Sequence, residues 1–306
     1  MSGIQTNRSA VTLPPDISSE IIEAARGQSV VMQLARRIPL PGRGLTIPVI
    51  LGDPEAQWVD ETNPKPVKNP SVGMKNMKGY TMAVIMPFSN QFRRDLAALY
   101  DAIIARLPGA LAQKFDATTL GAVASPGTGF DTLASASKQS ILAAQNFTAY
   151  DGLVAAKTAI ATAGYIMNAI AIGPQGDGLL LSAKDKQDRP LFLPNSTDGS
   201  IPGILGARLV QGRGIYKAGS AASGDDPAVA DIVGVAGDWA QAMYGFVKDF
   251  DISFSDQASI TVLGDNNQPV VINLWERNMF AVRAEFEAGF VANVAAFNLL
   301  TGATPT

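Results

Sequence analysis

The feature of this sequence that most constrains its fold is a long irregular excursion between two predicted strands. Residues 45–51 and 80–86 read as strands, and residues 52–79 separate them with four prolines and no clear period. Connections in compact domains are usually far shorter, and an isolated two-stranded ribbon is only marginally stable in water. The sequence therefore predicts a projecting ribbon that needs another surface to lie on. Pro48 confines the first strand to a sheet edge.

Large apolar side chains within the excursion favour this ribbon over the alternative of a disordered loop. They are Trp58, Met74 and Met77. Exposed apolar patches of this kind usually mark contacts with other molecules. We therefore expect these three residues to form contacts between subunits.

The strongest helical signal follows directly and predicts one long helix over residues 90–118. Apolar residues recur there every three or four positions, at Phe92, Leu96, Leu99, Ile103, Leu107 and Leu111. Ser89 or Asn90 supplies a helix cap, and the helix would be about 40 Å long. Pro108 is expected to kink this helix, because proline lacks the backbone N–H that a helix interior uses.

The rest of the sequence completes a mixed, α+β pattern. Residues 121–149 are rich in Gly, Ser, Ala and Thr, which is typical of a boundary between domains. Further helices are predicted over residues 16–26, 150–163 and 179–186. Further strands are predicted over residues 166–172, 229–236, 249–255, 270–275 and 279–287.

The absence of two residue types excludes much familiar catalytic chemistry. The 306 residues include no cysteine and no histidine, which excludes disulfides, zinc–thiolate sites and serine–histidine catalysis. The Gly-rich segments lack the Lys-Ser/Thr ending of a phosphate-binding loop. Asp225 and Asp226 offer carboxylates for calcium, but lone acidic pairs in loops are usually solvated. We therefore expect no cofactor and no bound metal.

Charge is distributed unevenly along the chain. Residues 1–120 carry 13 basic and 10 acidic side chains, whereas residues 121–306 carry 11 basic and 17 acidic ones. The first part therefore has a net charge of +3 and the second a net charge of −6. This polarity would suit head-to-tail packing of identical copies.

Four lysines of the excursion concentrate the positive charge: Lys65, Lys68, Lys75 and Lys78. No acidic residue occurs between Thr62 and Arg94. We expect these lysines to dock on an acidic surface of a neighbouring subunit. A solvated lysine-rich turn and a contact with DNA are the alternatives. DNA is disfavoured because backbone binding normally combines arginines with interleaved aromatic residues.

Nothing in the sequence predicts a membrane segment. No window holds about 18 continuous apolar residues, and residues 1–13 lack the charged-then-apolar pattern of a secretory signal. We expect a protein that is made and kept in a reducing cytoplasm.

Several short motifs, taken in order, resemble those of one protein family. They are Trp58-Val59-Asp60-Glu61 before Lys65-Pro66, Ile85-Met86-Pro87-Phe88-Ser89-Asn90, Val235-Ala236-Gly237-Asp238-Trp239, Val282-Arg283-Ala284-Glu285, and Gly289-Phe290. Together they resemble the major capsid proteins of tailed bacteriophages with the Hong Kong 97-type fold, over essentially the whole chain.

The resemblance implies an α+β, Hong Kong 97-like capsid fold. An N-terminal arm would occupy residues 1–45, and an extended β-hairpin loop would occupy residues 46–88. A peripheral domain, with the long spine helix and a long antiparallel sheet, would comprise residues 89–130 and 247–306. An axial domain would comprise residues 131–246.

The resemblance also implies a structural function and no enzymatic one. The chain would self-assemble into hexamers and pentamers that form the icosahedral head around a double-stranded DNA genome. Its partners would be further copies of itself, a portal protein, a separate scaffolding protein and a decoration protein. The DNA would be packaged without sequence-specific contact. Assembly would take place in the bacterial host cytoplasm, and the product would be the virion capsid.

Some members of that family join their subunits by an isopeptide bond between a lysine and an asparagine, with a glutamate as base. By resemblance, Lys65 matches the lysine, Asn278 the asparagine and Glu285 the glutamate. Seven residues of strand span about 23 Å, so such a site would combine different subunits. The alternative is that Lys65-Pro66 forms a turn that docks on a neighbour. Asn278 would then be a polar residue at a sheet edge, and Glu285 would form an ion pair with an arginine.

Two other functions remain open from the sequence. One is an encapsulin-type compartment, which would share the fold but enclose enzymes. The other is a carboxylate-based hydrolase that uses Asp60, Glu61 or Glu276 beside Trp58 or Trp275, because tryptophan next to an acid is typical of a sugar site. The hydrolase hypothesis leaves the projecting ribbon unexplained.

Overall fold

The computed structural model describes residues 27–51, 58, 71–90, 96–142, 148–185, 187–192, 201, 203–223, 227–263 and 267–304. The helices with described bounds are α1 (Val30–Leu34), α2 (Leu96–Thr119), α3 (Ala149–Thr162) and α4 (Pro174–Leu181). The strands of the described ranges are β1 (Arg36–Arg37), β2 (Leu45–Leu51), β3 (Ser71–Met77), β4 (Tyr80–Ser89), β5 (Ser137–Ser140), β6 (Ala169–Ile172), β7 (Gly203–Ile204), β8 (Ala207–Gln211), β9 (Ile232–Gly237), β10 (Ala242–Ser255), β11 (Ser259–Leu263), β12 (Pro269–Asn273), β13 (Met279–Ala292) and β14 (Phe297–Thr301).

A long sheet, with strand order β1-β10-β13-β4, forms one part of the molecule. β13 pairs antiparallel with β10 on one side and with β4 on the other. Phe280, Val282, Ala284 and Phe286 of β13 are buried, whereas Arg283 between them is exposed. The strand predicted over residues 279–287 is therefore confirmed, with these four side chains on one face, because successive side chains of a strand point to opposite faces.

The main hydrophobic core lies where α2 meets this sheet. Phe115 of α2 is completely buried and makes edge-on ring contacts with Phe130, Tyr244 and Phe290. α2 has 24 residues and therefore spans about 36 Å. The predicted long helix is confirmed from Leu96 onwards, and its earlier residues 91–95 lie outside the described part of the chain. The helix continues through Pro108, and the kink expected there stays a prediction.

A six-stranded sheet, with strand order β5-β14-β9-β6-β8-β7, carries the second core. Every residue of β9 and β14 is buried, which is typical of central strands covered on both faces. α3 packs on this sheet through Leu153, Ala156 and Ile160. The Thr148 hydroxyl and the Asp151 carboxylate cap the start of α3 reciprocally, so the predicted helix over residues 150–163 is confirmed.

Two short sheets form no backbone pairing with these layers in the described part of the chain. β2 pairs only with β3, in register from Leu45↔Met77 to Leu51↔Ser71. β11 pairs only with β12, from Ser259↔Asn273 to Leu263↔Pro269. We call the first pair the ribbon (residues 45–51 and 71–77) and the second the hairpin (residues 259–263 and 269–273).

The strand pairing differs from the sequence-based expectation at the ribbon. We expected residues 45–51 to be followed by a strand over residues 80–86 within one extended loop. β2 instead pairs with β3, which the sequence pattern did not reveal, and β4 belongs to the long sheet. β4 is drawn there because Phe88 stacks on Phe280 and its apolar side chains pack on the main core.

Two further elements also lie elsewhere than expected. The helix predicted over residues 179–186 is observed at Pro174–Leu181, because Pro174 is well suited to a first helical turn. β14 was expected with the long sheet, as part of residues 247–306, but it lies in the six-stranded sheet between β5 and β9. The chain therefore returns to the second layer at its end.

Candidate subunit-contact surfaces

The outer face of the ribbon is exposed. Met74 is 75% exposed and Thr46, Pro48 and Asn76 are also exposed, while Trp58, in the segment that follows β2, is fully exposed. A two-stranded sheet of this kind gains little stability by itself. Trp58 and Met74 therefore remain predicted contact residues.

The inner face of the ribbon packs against its own chain. Met77 is completely buried in a small cluster with Leu40 and Val291. The Lys75 ammonium donates hydrogen bonds to Asp131, with 2.7 Å between Nζ and Oδ2, and to the backbone carbonyl of Ala292. These contacts fix the root of the ribbon to the end of β13.

One predicted intermolecular contact is therefore corrected. We expected Met77 to contact a neighbouring subunit, but it is completely buried within the chain because it occupies the inner face of β3. Lys75 pairs with Asp131 within the chain while its side chain is 37% exposed, so its contact with a neighbour stays a prediction. Lys78 is exposed, as an intermolecular contact would require, and its role stays a prediction. Lys65 and Lys68 lie outside the described residues.

Two of the residues proposed for an isopeptide bond, Asn278 and Glu285, lie seven positions apart along the chain. Asn278 occupies a tight turn with a φ of 53° before β13, and its side-chain oxygen accepts a hydrogen bond from Asn90. Glu285 lies further along β13, opposite Ala83, and forms ion pairs with Arg283 at 3.4 Å and Lys248 at 3.9 Å. This is the ion-pair role that the sequence left open for Glu285. Crosslinking itself stays a prediction.

The hairpin is a second exposed surface, which sequence reasoning only half detected. Leu263, Val270, Val271 and Trp275 are exposed in or next to it, at 70%, 41%, 65% and 70%. The sequence prediction included the region of β12 but missed β11. The signal was present, because Ser259–Leu263 alternates polar and apolar residues and is followed by Gly264-Asp265-Asn266-Asn267, a strong turn sequence.

A buried carboxylate holds α1 against α2. Asp116 of α2 accepts hydrogen bonds from the Ser29 hydroxyl at 2.6 Å and from the backbone N–H groups of Val30 and Val31. Burial raises the pKa of Asp116 to about 6, against the lowering effect of these three hydrogen bonds. Sequence reasoning missed this residue.

Of the residues proposed for a hydrolase, the described part of the chain contains Trp58, Trp275 and Glu276. Trp275 and Glu276 are both exposed in the turn between β12 and β13, and Asp60 and Glu61 lie outside the described ranges. Among the described residues, no group of three or more acidic side chains could hold a metal ion. No described helix has the length and apolar content needed to cross a membrane.

Comparisons with known proteins converge on one family. The model of the phage capsid family matches residues 9–302. The "Probable major capsid protein gp17" of Mycobacterium phage L5 is 29% identical over 291 residues, which cover 92% of this chain and 86% of that protein. A solved structure from Gordonia phage Cozz has a TM-score of 0.68 at 21% identity and covers 91% of this chain and 87% of its own.

A further solved structure has the same fold at lower identity. It is titled "Capsid of native GTA particle computed with C5 symmetry", and it matches with a TM-score of 0.59 at 14% identity, over 99% of this chain and 96% of its own. Because the family model spans nearly the whole sequence, the family assignment does not depend on any single motif. The chain belongs to the phage capsid family.

Proposed function

We propose that this chain is the major capsid protein of a tailed phage, with a Hong Kong 97-like subunit fold. Copies assemble into hexamers and pentamers, and these form an icosahedral shell around double-stranded DNA. The observation that carries this proposal is the ribbon, whose strands pair with no other described strand and whose outer face is exposed. Such an element is stabilised when it lies on another molecule.

Family membership and charge distribution support the same conclusion. The L5 relative is named as a probable major capsid protein, and the particle structure with fivefold symmetry is titled as a capsid. Copies whose first part is basic and whose second part is acidic can pack head to tail. Such heterologous contacts close into rings when the rotation between copies allows it. The proposal also includes the partners and the location. The partners are a portal protein, a scaffolding protein, a decoration protein and the packaged DNA, and assembly takes place in the host cytoplasm.

We expect the purified full-length protein to form closed shells that negative-stain microscopy can image. Met74→Asp should reduce the yield of shells at least about tenfold, because a charge would be buried in the contact. Ile166→Asp is the matched control, since Ile166 is similarly exposed, at 78%, but lies between α3 and β6, away from the ribbon. Small uniform shells enclosing protein would favour an encapsulin-type compartment. Dispersed subunits under all conditions would refute the proposal.

Denatured particles should run as one band near 32.0 kDa on a denaturing gel. Glu285 is already engaged within its own chain by Arg283 and Lys248. A ladder of multiples would show that subunits crosslink. Lys65→Arg and Asn278→Ala should then each abolish the ladder if the residues matched by resemblance are the reacting ones.

A further inference from the structure

We propose that the exposed side of α2 binds the phosphate backbone of double-stranded DNA and lines the inside of the shell. This inference rests on the proposed function and names the surface that faces the enclosed DNA. α2 packs on one face of the long sheet, where Phe115 contacts Phe290. The ribbon is rooted on the opposite face, where Met77 lies in one cluster with Val291. The two faces of the long sheet therefore carry different elements.

Positive charge is concentrated in the segments on the α2 side. Residues 27–37, 96–121 and 203–217 contain seven basic and two acidic residues, so their net charge is +5. The whole chain has a net charge of −3. One of the two acids, Asp116, is buried, whereas every one of the basic residues is exposed. The basic residues are Arg36, Arg37, Arg106, Lys114, Arg208, Arg213 and Lys217.

Four of these residues lie along α2 and form what we call the basic surface: Arg106, Lys114, Arg213 and Lys217. Arg106 and Lys114 belong to α2 itself and are about 12 Å apart along its axis. The turn of residues 213–215 packs directly on the helix, since a Cβ at Gly214 would lie 2.7 Å from the carbonyl oxygen of Gln113. Lys217 donates a hydrogen bond to the carbonyl of Gly121, just beyond the end of α2.

The length of this row fits a duplex. From Arg106 to the end of α2 the helix rises about 20 Å. Double-stranded DNA carries one negative charge per about 1.7 Å of its axis, so about a dozen phosphates lie along that length. Each of the four cations can therefore meet a phosphate without competing for one.

The cations of the basic surface are available to a ligand. Within the described part of the chain, none of the four forms an ion pair. The charges on the ribbon side of the long sheet are paired instead, with Lys248 at 2.7 Å from Asp251 and Arg283 at 3.4 Å from Glu285. Unpaired cations can neutralise phosphates and release the counterions condensed on DNA, which is the main source of sequence-independent affinity.

The polar character of the basic surface favours DNA over a protein partner. Residues 27–37, 96–121 and 203–217 include no exposed large apolar side chain among those whose exposure the structure describes. Protein interfaces normally have an apolar core, and the ribbon and hairpin regions offer such side chains in Met74 and Trp275. Phosphate contacts need only cations and hydrogen-bond donors. The exposed amides of Gln28 and Gln113 supply such donors beside the cations.

Closure of the shell determines which way this surface faces. Copies related by rotation present the same face inward, so a basic surface on one subunit is repeated over the whole wall. Enclosed DNA reaches only the inner wall. Contacts to phosphate carry no sequence information, which suits a wall that must accept any sequence.

Salt-dependent binding tests the basic surface. Dissociated full-length subunits should bind duplexes of two unrelated sequences equally well. Arg106→Gln with Lys114→Gln should weaken binding at least about tenfold at about 50 mM salt. It should also reduce the slope of log affinity against log salt by about 1.8, or about 0.9 for each lost contact. Lys157→Gln with Lys184→Gln removes the same charge from exposed positions on α3 and after α4, and should change the affinity less than about twofold.

Photocrosslinking tests the location. The sequence has no cysteine, so a photoreactive maleimide attaches only to an introduced thiol. Gln113→Cys, on the exposed side of α2, should crosslink subunits to a bound duplex. Ala83→Cys is the matched control, because Ala83 is also exposed but lies on the ribbon side of β4, and it should give no crosslink. Closed shells of Gln113→Cys should not crosslink to a duplex added from outside.

The outcomes separate this inference from the proposed function. Normal shells from a chain whose DNA affinity is unchanged by Arg106→Gln with Lys114→Gln would refute the inference alone. Loss of shells in that variant with unchanged DNA binding would show that the surface binds another copy, which also refutes the inference. Crosslinking of closed shells from outside would refute the inward position. A protein that never forms shells, but whose DNA binding falls as expected in the variant, would support the basic surface and refute the proposed function.

Discussion

Phe115→Ala is expected to lower the free energy of unfolding by about 3–5 kcal/mol, the usual cost of removing a large buried ring. The Phe115 side chain is completely buried, and its ring centroid lies 6.3–6.4 Å from those of Phe130, Tyr244 and Phe290. Truncation leaves a cavity where α2, the long sheet and the turn before β5 meet. The neighbouring residues are themselves large and rigid, so they cannot fill it by small movements.

Urea unfolding of dissociated subunits, at one protein concentration, measures this effect. Lys114→Ala is the matched control, because Lys114 precedes Phe115 on the same helix and is exposed. It should change the free energy of unfolding by less than about 0.5 kcal/mol. A loss below about 1 kcal/mol for Phe115→Ala would mean that this junction is not the centre of the core.

The elements that could be predicted from the sequence are those whose pattern is set locally. The long helix and the strand around Phe280–Phe286 each bury one face against a large core. Their apolar residues therefore follow the helical or the two-residue period without interruption. β3 could not be found in this way, because Ser71–Met77 contains polar residues and a glycine. Its pairing with β2 depends on residues 20 to 32 positions away.

Strand geometry explains why only some of the predicted contact residues are exposed. Met74 and Met77 lie three residues apart, so a strand must point them to opposite faces. One is 75% exposed and the other is completely buried. Once β3 is known, the period of two also assigns Lys75 to the inner face with Met77. The period of two does not reveal which sheet contains β14, because all residues of β14 are buried and such a strand would fit either sheet.

The stability of the fold is expected to fall as the pH rises through about 6, because of Asp116. Burial raises the pKa of this carboxyl from 3.8 to about 6 in the folded protein. The folded state therefore holds the proton more tightly than the unfolded state between these values. The resulting stabilisation is fully present below about pH 4 and is lost above about pH 6. Its size is about 2–3 kcal/mol, since one pKa unit corresponds to about 1.4 kcal/mol.

Asp116→Asn isolates this contribution, because the amide stays neutral at every pH. The free energy of unfolding of the unmodified protein, minus that of the variant, should decrease by about 2–3 kcal/mol between pH 4 and pH 7.5. The groups facing Asp116 are the Ser29 hydroxyl and two backbone amides, which do not titrate. The charged side chains of adjoining segments, Lys114 and Arg213, are exposed.

Asp188→Asn is the control for general acid effects, since the Asp188 side chain is 93% exposed and its ion pair with Lys184 is a long 3.9 Å. The difference between the unmodified protein and this variant should not depend on pH over the same range. Other carboxyls change the stability of all three proteins equally, so only the differences are informative. A flat difference curve for Asp116→Asn would mean that the hydrogen bonds from Ser29, Val30 and Val31 fully offset the cost of burying the charge. The docking of α1 on α2 would then be independent of pH.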